Sequence, residues 1–566
     1  MSQASLPGLG RTSPQSHGHN NNNEFPDRGA PFTTLPPTAL DLEPEGNNLN
    51  KTLILMTGLM ASICANAQTQ NTLNVALNAD IRSTQPGVNR DTNSDAVVLH
   101  LFEGLVAFRE DASVGPLLAK EVVTSDDGLT YTFKLRDGVT FHNGKPLTSK
   151  EVLWTWQRYM DPATQWRCTA SFDGHSGAKI VDIKAPDAQT VVFTLDQPNA
   201  LFLASMALPE CGGSGIMHPD SVVNGEWTTP IGTGPFKLAT WKPGQYVDLD
   251  RFAEYKARDE AADGYTGNKS TTLDRVHMTI IPDPAAAKAA LLSRNVDMLN
   301  DVSALEAKEL EALPGVRISA STTMSTSAVL FQTKDPLFSD VRMRQALAHA
   351  LDTSTIVTAL TEGRSKPNPS MVALGSRYHT AAQDKGWGYS PEESKRLLKE
   401  AGYKGQPIQL ITNKRYPNMF DIAVYVQAMA SQVGLNIQLQ TMEWGTQLER
   451  YQSGNYQVMV STYSERLDPA LNYDAAAGDK SKEPRKVWDD AKARELIAEA
   501  RREGEPAKRQ ALFDELHKDM LRDLPLIPLY NGNAITVTRE YVQGQRPWPV
   551  SKPRLWMISL DNQGKS

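Results

Sequence analysis

A short run of charged and aromatic residues in the C-terminal part of the chain carries the clearest chemical signal. It has the sequence YSERLDP over 463–469 and directly follows the strand-like segment 456–460. In open α/β sheets the carboxyl end of a strand usually presents the groups that bind ligands. Glu465 could pair with a ligand ammonium and Arg466 with a ligand carboxylate, because such bonds strengthen when water is excluded. With Asp468 beside them, they predict a site for a small charged solute.

Two other interpretations of this run stay open on the residues alone. Glu465 and Arg466 could form a solvated loop, with Asp468 starting a turn before Pro469, since exposed ion pairs contribute little. Glu465 and Asp468 could instead be the acid and nucleophile of a glycosidase, which needs carboxyl groups about 5 or roughly 7–9 Å apart. Spacing along the chain does not distinguish these arrangements.

Motifs for other chemistry are absent from the sequence. It has no GxxxxGK phosphate loop, no HExxH zinc pair and no GxSxG nucleophile elbow. The segment GGSG at 212–215 departs from the dinucleotide fingerprint and is typical of a turn. His17 and His19 have no third ligand nearby, so a disordered tail is the better interpretation of that pair. We therefore expect no metal site and no cofactor.

The composition limits the class of protein further. The 566 residues include 58 Lys plus Arg and 65 Asp plus Glu, a formal net charge of -7. This balance provides no basic field for neutralising phosphates, so a nucleic-acid partner is not expected. No run approaches the roughly 20 apolar residues that cross a bilayer, which predicts no membrane span. A chain of this length should divide into more than one domain.

The first 67 residues predict export rather than a folded domain. Residues 1–48 are rich in asparagine and proline, the composition of a segment that stays disordered. Residues 49–67 combine Lys51, an apolar stretch and the small-residue site ANA, which predicts a signal peptide cleaved before Gln68. Translation starting near Leu49 would explain a signal placed so late. These residues therefore predict that the protein is exported.

The predicted export decides which of the three cysteines remain in the protein and whether they can form a disulfide. Cys64 suggests a lipid anchor as an alternative, but Ile63 before it is not the small residue that lipidation requires. Cys168 and Cys211 remain after cleavage, in an oxidising compartment that favours a disulfide between them. The alternative is two unpaired buried cysteines.

Alternating strand and helix signals place the chain in the α/β class. Apolar and polar residues alternate over 129–136, and Asp137-Gly138 then predicts a β-hairpin. Thr148 and Glu151 have the spacing of a capping box and predict the start of a helix. These elements alternate without a short internal period, which indicates a mixed fold rather than a repeat array.

Several longer segments follow one another along the chain in a recognisable order. They are LFEGL at 101–105, DDGLTYTFKLRDGV at 126–139, PIGTGPF at 230–236, DVRMRQAL at 340–347, LLKEAGY at 397–403, EW at 443–444 and LPLIPL at 524–529. In this order the chain resembles the solute-binding proteins of ABC importers for dipeptides, oligopeptides and nickel complexes, known as family 5 of the extracellular solute-binding proteins. The likeness extends over nearly all of the chain after the predicted signal peptide.

The resemblance implies a periplasmic-binding-protein clamshell, in which two lobes close about a hinge, with an extra third domain. The first lobe would combine residues 68–105, 229–325 and 541–566. The extra domain would be 106–228 and the opposing lobe 326–540. Members of this family bind and release their solutes, so the resemblance implies no enzymatic activity.

The resemblance also implies where the ligand lies. Peptide-binding members hold the ligand ammonium with an acidic residue shortly before an Asp-Pro pair, and that position is Glu465 here, one methylene longer than the usual aspartate. Dipeptide-binding members use an arginine where a gapless count gives Asn413, with Arg415 two residues further on. Arg415, Arg466 and Arg90, the last from the opposite lobe, are therefore the candidates for the ligand carboxylate.

Two aromatic residues, Trp444 and Tyr463, are expected as walls of the pocket, with packing in the core as the alternative. Together these features predict a periplasmic receptor that captures di- or oligopeptides by hinge closure. It would act as a monomer and deliver the solute to an inner-membrane permease. The alternatives are the same role for an opine, a sugar phosphate or a nickel chelate, and a secreted hydrolase.

Overall fold

The computed structural model describes residues 71–175, 177–546, 548–550 and 552–561, which belong to one compact unit, Gln70–Ser566. The predicted disordered segment 1–48 and signal peptide 49–67 lie outside the described residues. The same holds for the paired N-terminal histidines, for Cys64 and for the cleavage site before Gln68.

The described chain alternates between strands and helices along most of its length. In chain order the strands are β1 (Thr72–Leu77), β2 (Val106–Phe108), β3 (Val114–Pro116), β4 (Ala119–Thr124), β5 (Thr130–Leu135), β6 (Ile180–Asp187), β7 (Thr190–Leu195), β8 (Val222–Val223), β9 (Glu226–Trp227), β10 (Phe236–Lys242), β11 (Tyr246–Arg251), β12 (Arg275–Ile280), β13 (Met298–Leu299), β14 (Val316–Phe331), β15 (Ile408–Thr412), β16 (Ile437–Thr441), β17 (Val458–Tyr463), β18 (Leu526–Arg539), β19 (Val542–Gln543) and β20 (Ser559–Leu560). The α-helices are α1 (Thr92–Leu101), α2 (Ser149–Met160), α3 (Phe202–Met206), α4 (Pro284–Leu292), α5 (Ala304–Glu311), α6 (Val341–Ala350), α7 (Thr353–Thr361), α8 (Pro391–Glu400), α9 (Pro417–Gln432), α10 (Trp444–Ser453), α11 (Pro469–Ala476), α12 (Ala491–Arg502) and α13 (Pro506–Asp523).

One mixed sheet, ordered β10-β11-β12-β1-β13-β18-β14-β17-β15-β16, runs through two lobes. β14 and β18 pair antiparallel along most of their length, with a register shift between Thr322 and Thr326. On one side of this shift β18 pairs with β13, and on the other side β14 pairs with β17. We call the half that contains β1 and β10–β13 the first lobe, and the half that contains β15–β17 the second lobe. The two long strands therefore connect the lobes directly.

A separate antiparallel sheet, ordered β4-β5-β7-β6, forms a third domain. We call it the insert domain; it also contains α2, α3 and the turn at Pro209–Ser214. Its buried side chains form one continuous apolar core with those of the first lobe. Cys168 and Cys211 form a disulfide with their Cα atoms 5.8 Å apart, which confirms the predicted bond.

The two local predictions in this domain have different outcomes. The capping box of Thr148 and Glu151 is confirmed at the start of α2. The hairpin after β5 is wrong, because Gly138 does turn the chain at φ +72° but the next residues form an isolated bridge from Thr140 to Pro146. β5 pairs with β4 and β7 instead. A turn dipeptide sets the change of direction, whereas strand pairing depends on partners far along the chain.

Two of the segments that carry the resemblance pack against each other in the first lobe. Gly232 and Gly234 lie against the backbone oxygens of Leu101 and His100, where an added Cβ would come within 2.1 and 2.3 Å. Only glycine permits so close an approach of two backbones. Residues 230–235 therefore form a closely packed loop, and it lies where β10 enters the sheet of the first lobe.

The second lobe has apolar clusters on the two faces of its sheet, and helices cover both. β15 pairs in parallel with β16 and with β17, as expected where helices connect successive strands. The predicted α/β clamshell of two lobes with an extra domain is confirmed. The residue bounds assigned to its three parts stay a prediction.

Candidate ligand-binding site

The loop that follows β17 is held in place by a buried ion pair. β17 is an interior strand, between β14 and β15, and ends at Tyr463. Asp468 begins α11 by accepting a hydrogen bond from the backbone N–H of Ala470 at 3.0 Å. Its two carboxylate oxygens also accept bonds of 2.8 Å from the guanidinium of Arg509. Asp468 thus anchors residues 464–467 within the second lobe, and Glu465 and Arg466 lie between the strand and this anchor.

Glu465 lines a cavity of about 70 Å³ at the meeting point of the three parts of the fold, which we call the junction cavity. The first lobe and the C-terminal segment that packs on it contribute Arg90, Thr92, Asp95, Val550 and Lys552. The insert domain contributes Leu208, Pro209 and Glu210, and the second lobe contributes Ser464, Glu465 and Leu467. The wall contains three acids, Asp95, Glu210 and Glu465, against two bases, Arg90 and Lys552. Acidic groups therefore predominate here.

Arg90, one of the predicted carboxylate ligands, is engaged by its neighbour on α1. Its Nε donates to Asp95 Oδ1 at 3.0 Å, and its Nη2 bonds to Asp95 Oδ2. Burial raises the pKa of Asp95 to about 6, although the bonds from Arg90 act in the opposite direction. The Arg90 guanidinium therefore already faces a carboxylate within its own lobe.

Arg466 lines a larger cavity, of about 170 Å³, between the insert domain and the second lobe, which we call the basic cavity. The insert domain contributes Ser171, Gly177, Asn199, Leu201, Ser205, Leu208 and Glu210, and the second lobe contributes Arg466, Leu471, Asp474, Ala475, Arg485, Lys486 and Arg501. The two parts touch beside it, because Ala200 N–H donates to Arg501 O at 2.7 Å. Leu201 is 3% exposed and packs into an apolar cluster of the second lobe.

Four bases line the basic cavity against two acids, Glu210 and Asp474. Arg501 pairs with Asp474 at 3.0 Å, and Arg466 Nη1 donates to the backbone oxygen of Ser464 at 3.1 Å. Lys486 is 3% exposed, and burial lowers the pKa of its ammonium. Because these charges lie in a partly dehydrated wall, their field on a bound group is stronger than it would be in open water.

The two cavities differ in charge and adjoin each other. They share Leu208 and Glu210, and the neighbouring residues Glu465 and Arg466 each line one of them. A ligand that extends through both cavities would meet a predominance of acids at one end and a predominance of bases at the other. The arrangement is suited to a small molecule that carries an ammonium group and, further along, a carboxylate.

Besides Asp468, which is bonded to Arg509, three predicted site residues lie outside both cavities as the structure describes them. Arg415 is exposed, with its guanidinium 5.9 Å from the ring centre of Tyr416. Trp444 begins α10 and packs edge-on against the same ring, with the centroids 5.1 Å apart. Tyr463 is buried in an apolar cluster of the second lobe. As ligand contacts these three stay predictions, although the observed surroundings of Tyr463 are those of a core residue.

Asn413, the residue reached by the gapless count, has a structural role. It is fully buried, and its amide donates to Gln447 Oε1 at 2.8 Å. Its Oδ1 accepts the backbone N–H of Tyr416 at 3.0 Å, which fixes the turn before α9. The Asn413 side chain therefore makes these hydrogen bonds within the second lobe.

Sequence reasoning missed most of the charged residues that line the cavities. They are Asp95, Glu210, Asp474, Arg485, Lys486, Arg501 and Lys552, which come from the first lobe, the insert domain, the second lobe and the C-terminal segment. No local motif marks them, because the groups that they face across a cavity come from parts of the chain far away in sequence. The end of the strand-like segment 456–460 is the one signal that pointed to their vicinity.

The described residues contain neither a metal-binding cluster nor a membrane-spanning helix. Among those residues, no group of three or more His, Cys, Asp or Glu side chains is arranged to hold a metal ion. The described helices also include none with the length and apolar character needed to cross a membrane.

The chain is similar in sequence to known binding proteins. Residues 113–481 match the family model described as bacterial extracellular solute-binding proteins, family 5. A Brucella ovis protein that is named as a peptide-binding protein of an ABC transporter is 32% identical over 360 residues, covering 61% of this chain and 64% of the relative. The match thus spans less than two thirds of that relative. The dipeptide-binding protein of Escherichia coli K12 is 26% identical over 499 residues, covering 83% of this chain and 91% of the relative.

Solved structures share the fold. The periplasmic binding protein DppA from Helicobacter pylori, in complex with the peptide STSA, has a TM-score of 0.73 at 24% identity and covers 87% of this chain and 98% of its own. AgaA from A. tumefaciens R10, in complex with agropinic acid, has a TM-score of 0.71 at 24% identity and covers 87% of this chain and 99% of its own. At these identities the likeness establishes the fold and leaves the ligand open.

Proposed function

The chain belongs to the bacterial extracellular solute-binding proteins of family 5, and we propose that it is a periplasmic receptor that captures short peptides for an ABC transporter. It binds its solute and releases it unchanged, because members of this family are receptors and not enzymes. The receptor works as a monomer and delivers the peptide to the permease subunits in the inner membrane. Export through a signal peptide cleaved before Gln68 brings the receptor to the periplasm.

The opposite charge of the two adjoining cavities is the observation that carries this proposal. Glu465 receives the peptide ammonium in the junction cavity, where three acids face two bases. Arg466 receives the terminal carboxylate in the basic cavity, where four bases face two acids. Arg466 is preferred to the other two candidates, since Arg90 already pairs with Asp95 and Arg415 is exposed outside both cavities. Charge-assisted bonds of this kind are strongest in sites closed to water.

Closure follows from the position of the ligand between the parts of the fold. The junction cavity takes its wall from the first lobe, the insert domain and the second lobe together. A peptide bound there touches both lobes only when they are closed, so it stabilises the closed form by the contacts that the open form lacks. The permease can then distinguish loaded from empty receptors by shape.

Calorimetry with matched peptides tests this assignment. We expect alanyl-alanine to bind and its N-acetyl derivative to bind at least about tenfold more weakly, because acetylation removes the charge that Glu465 recognises. In the variant Glu465→Gln the two peptides should differ by less than about threefold. Glu449→Gln, an exposed acid on α10 outside both cavities, is the matched control and should keep the full difference. Equal binding of both peptides to the unaltered protein would remove Glu465 from the ammonium site.

The predominance of bases in the basic cavity also favours a second candidate, a carboxylated opine. The similar fold that holds agropinic acid makes this compound the appropriate probe. An opine bound chiefly through carboxylates would lose affinity in Arg466→Gln and keep it in Glu465→Gln. A peptide would lose affinity in both variants, so the pair of variants separates the two functions.

A further inference from the structure

We infer that the basic cavity selects peptides with an acidic C-terminal residue, whose side-chain carboxylate it binds beside the terminal carboxylate. This inference rests on the proposed peptide function and specifies the substrate class. Its basis is that two cationic groups in one wall of the cavity, Arg466 and Lys486, are hydrogen-bonded to backbone oxygens, which do not neutralise their charge.

Lys486 is the central observation. Its side chain is almost completely buried, and its ammonium donates to the backbone oxygen of Asp474. The carboxylate of Glu483 lies 3.6 Å from the same ammonium, beyond the usual distance of a hydrogen-bonded pair. Burial lowers the pKa of Lys486, which means that the charged form is under-compensated in this wall. A ligand carboxylate at this position would supply the missing compensation.

The other cations of the wall have partners that leave room for two ligand carboxylates. Arg501 is matched by Asp474 at 3.0 Å and Arg485 by Glu483 at 2.8 Å. Arg466 donates to the backbone oxygen of Ser464, a partner that does not neutralise its charge. Arg466 and Lys486 are therefore the two cations available to anionic groups of the ligand. One would meet the peptide terminus and the other an acidic side chain.

The opposite wall is compatible with a polar side chain. The insert domain contributes Ser171, Asn199 and Ser205 there, beside the acid Glu210, and the first three are uncharged groups that can hydrogen-bond to the ligand. The cavity volume of about 170 Å³ exceeds the roughly 10–15 Å³ required by one water molecule, so a side chain can enter. A neutral side chain in this space would not compensate the charge of the Lys486 ammonium, so it would add little to the affinity.

The test compares isosteric dipeptides by calorimetry on the mature protein. We expect Ala-Glu to bind at least about tenfold more tightly than Ala-Gln, since the two differ only in the charge of the side chain. The reversed peptide Glu-Ala should bind more weakly than Gln-Ala, because its side chain enters the junction cavity, where acids predominate. The variant Lys486→Met should bring Ala-Glu and Ala-Gln within about twofold of each other, because the charge that distinguishes the two side chains is gone.

Control variants keep the result interpretable. Lys482→Met, four residues away with an 82% exposed side chain, should retain the full preference for Ala-Glu. If Lys486→Met does not fold, Arg485→Gln tests the same wall and should reduce the same preference, because the Glu483 carboxylate that it releases then compensates the charge of Lys486. Ala-Gln binding as tightly as Ala-Glu would overturn the acidic-residue inference and leave the peptide function standing. If neither peptide binds, nor any alanine-containing dipeptide, the proposed function fails and the inference fails with it.

Discussion

Removing Arg509 should destabilise the second lobe and weaken ligand binding together. Arg509 is 4% exposed, and its guanidinium forms two bonds of 2.8 Å with Asp468. It also donates to Ala500 O at 2.9 Å and to the hydroxyl of Tyr378 at 3.2 Å. Breaking a buried pair by deleting one partner costs about 3–5 kcal/mol, because the other charge stays buried without compensation. The Asp468 side chain is 14% exposed, so we expect Arg509→Met to cost about 3 kcal/mol.

Urea unfolding followed by far-ultraviolet circular dichroism measures this cost, and calorimetry with a peptide measures the effect on the site. Adding Asp468→Asn to Arg509→Met should recover about 1–2 kcal/mol, since the amide can still accept the Ala470 N–H but carries no charge. Lys518→Met, on the same helix with a 77% exposed side chain, is the matched control and should change stability by less than about 0.5 kcal/mol. If Arg509→Met unfolds no earlier than this control, the pair does not anchor the loop 464–467 and the reasoning is refuted.

Two more predictions concern the first lobe and the insert domain. Burial lowers the pKa of His100 to about 3, and its ring accepts the Leu555 N–H at 3.0 Å. The unfolded chain takes up this proton below about pH 6.5 and the folded chain does not, so the stabilisation is complete above pH 6.5 and is lost as the pH falls towards 3. Between pH 7 and pH 5 the loss should be about 2 kcal/mol, and urea titrations of His100→Gln should give a correspondingly smaller pH dependence. Replacing Cys168 and Cys211 by alanine should lower the stability of the insert domain by about 4 kcal/mol on the chain-entropy model, with reducing agent having no further effect; an unchanged unfolding midpoint in urea would contradict this.

The fold was largely predictable because its determinants are local or carried by short segments. The capping box at Thr148 sets the start of α2, and the alternation over 129–136 sets β5. The glycines of 230–236 mark a backbone approach that any side chain would block. The hairpin after β5 failed for the complementary reason, since strand pairing is decided by β4 and β7 and by no feature of the turn.

The candidate site was predictable only where a strand end and a helix cap enclose it. Glu465 and Arg466 follow directly from the end of β17 and the start of α11. Tyr463 is the last residue of the strand and packs in the core, which is the alternative that the sequence left open, and its role as a pocket wall stays a prediction. Lys486 and Arg501 are brought to Arg466 by the packing of α11 and α12, and this proximity in space has no counterpart in local sequence.

Leu201 joins the insert domain to the second lobe. The insert domain shares its apolar core with the first lobe, so we expect the two to move as one body. Leu201 of the insert domain, by contrast, packs in the core of the second lobe. Any separation of the lobes must pull this side chain into water, at a cost of about 1.5–3 kcal/mol for a leucine of this burial. Contact between the insert domain and the second lobe is thus stabilised in part by the protein itself, before a bound solute adds any contact of its own.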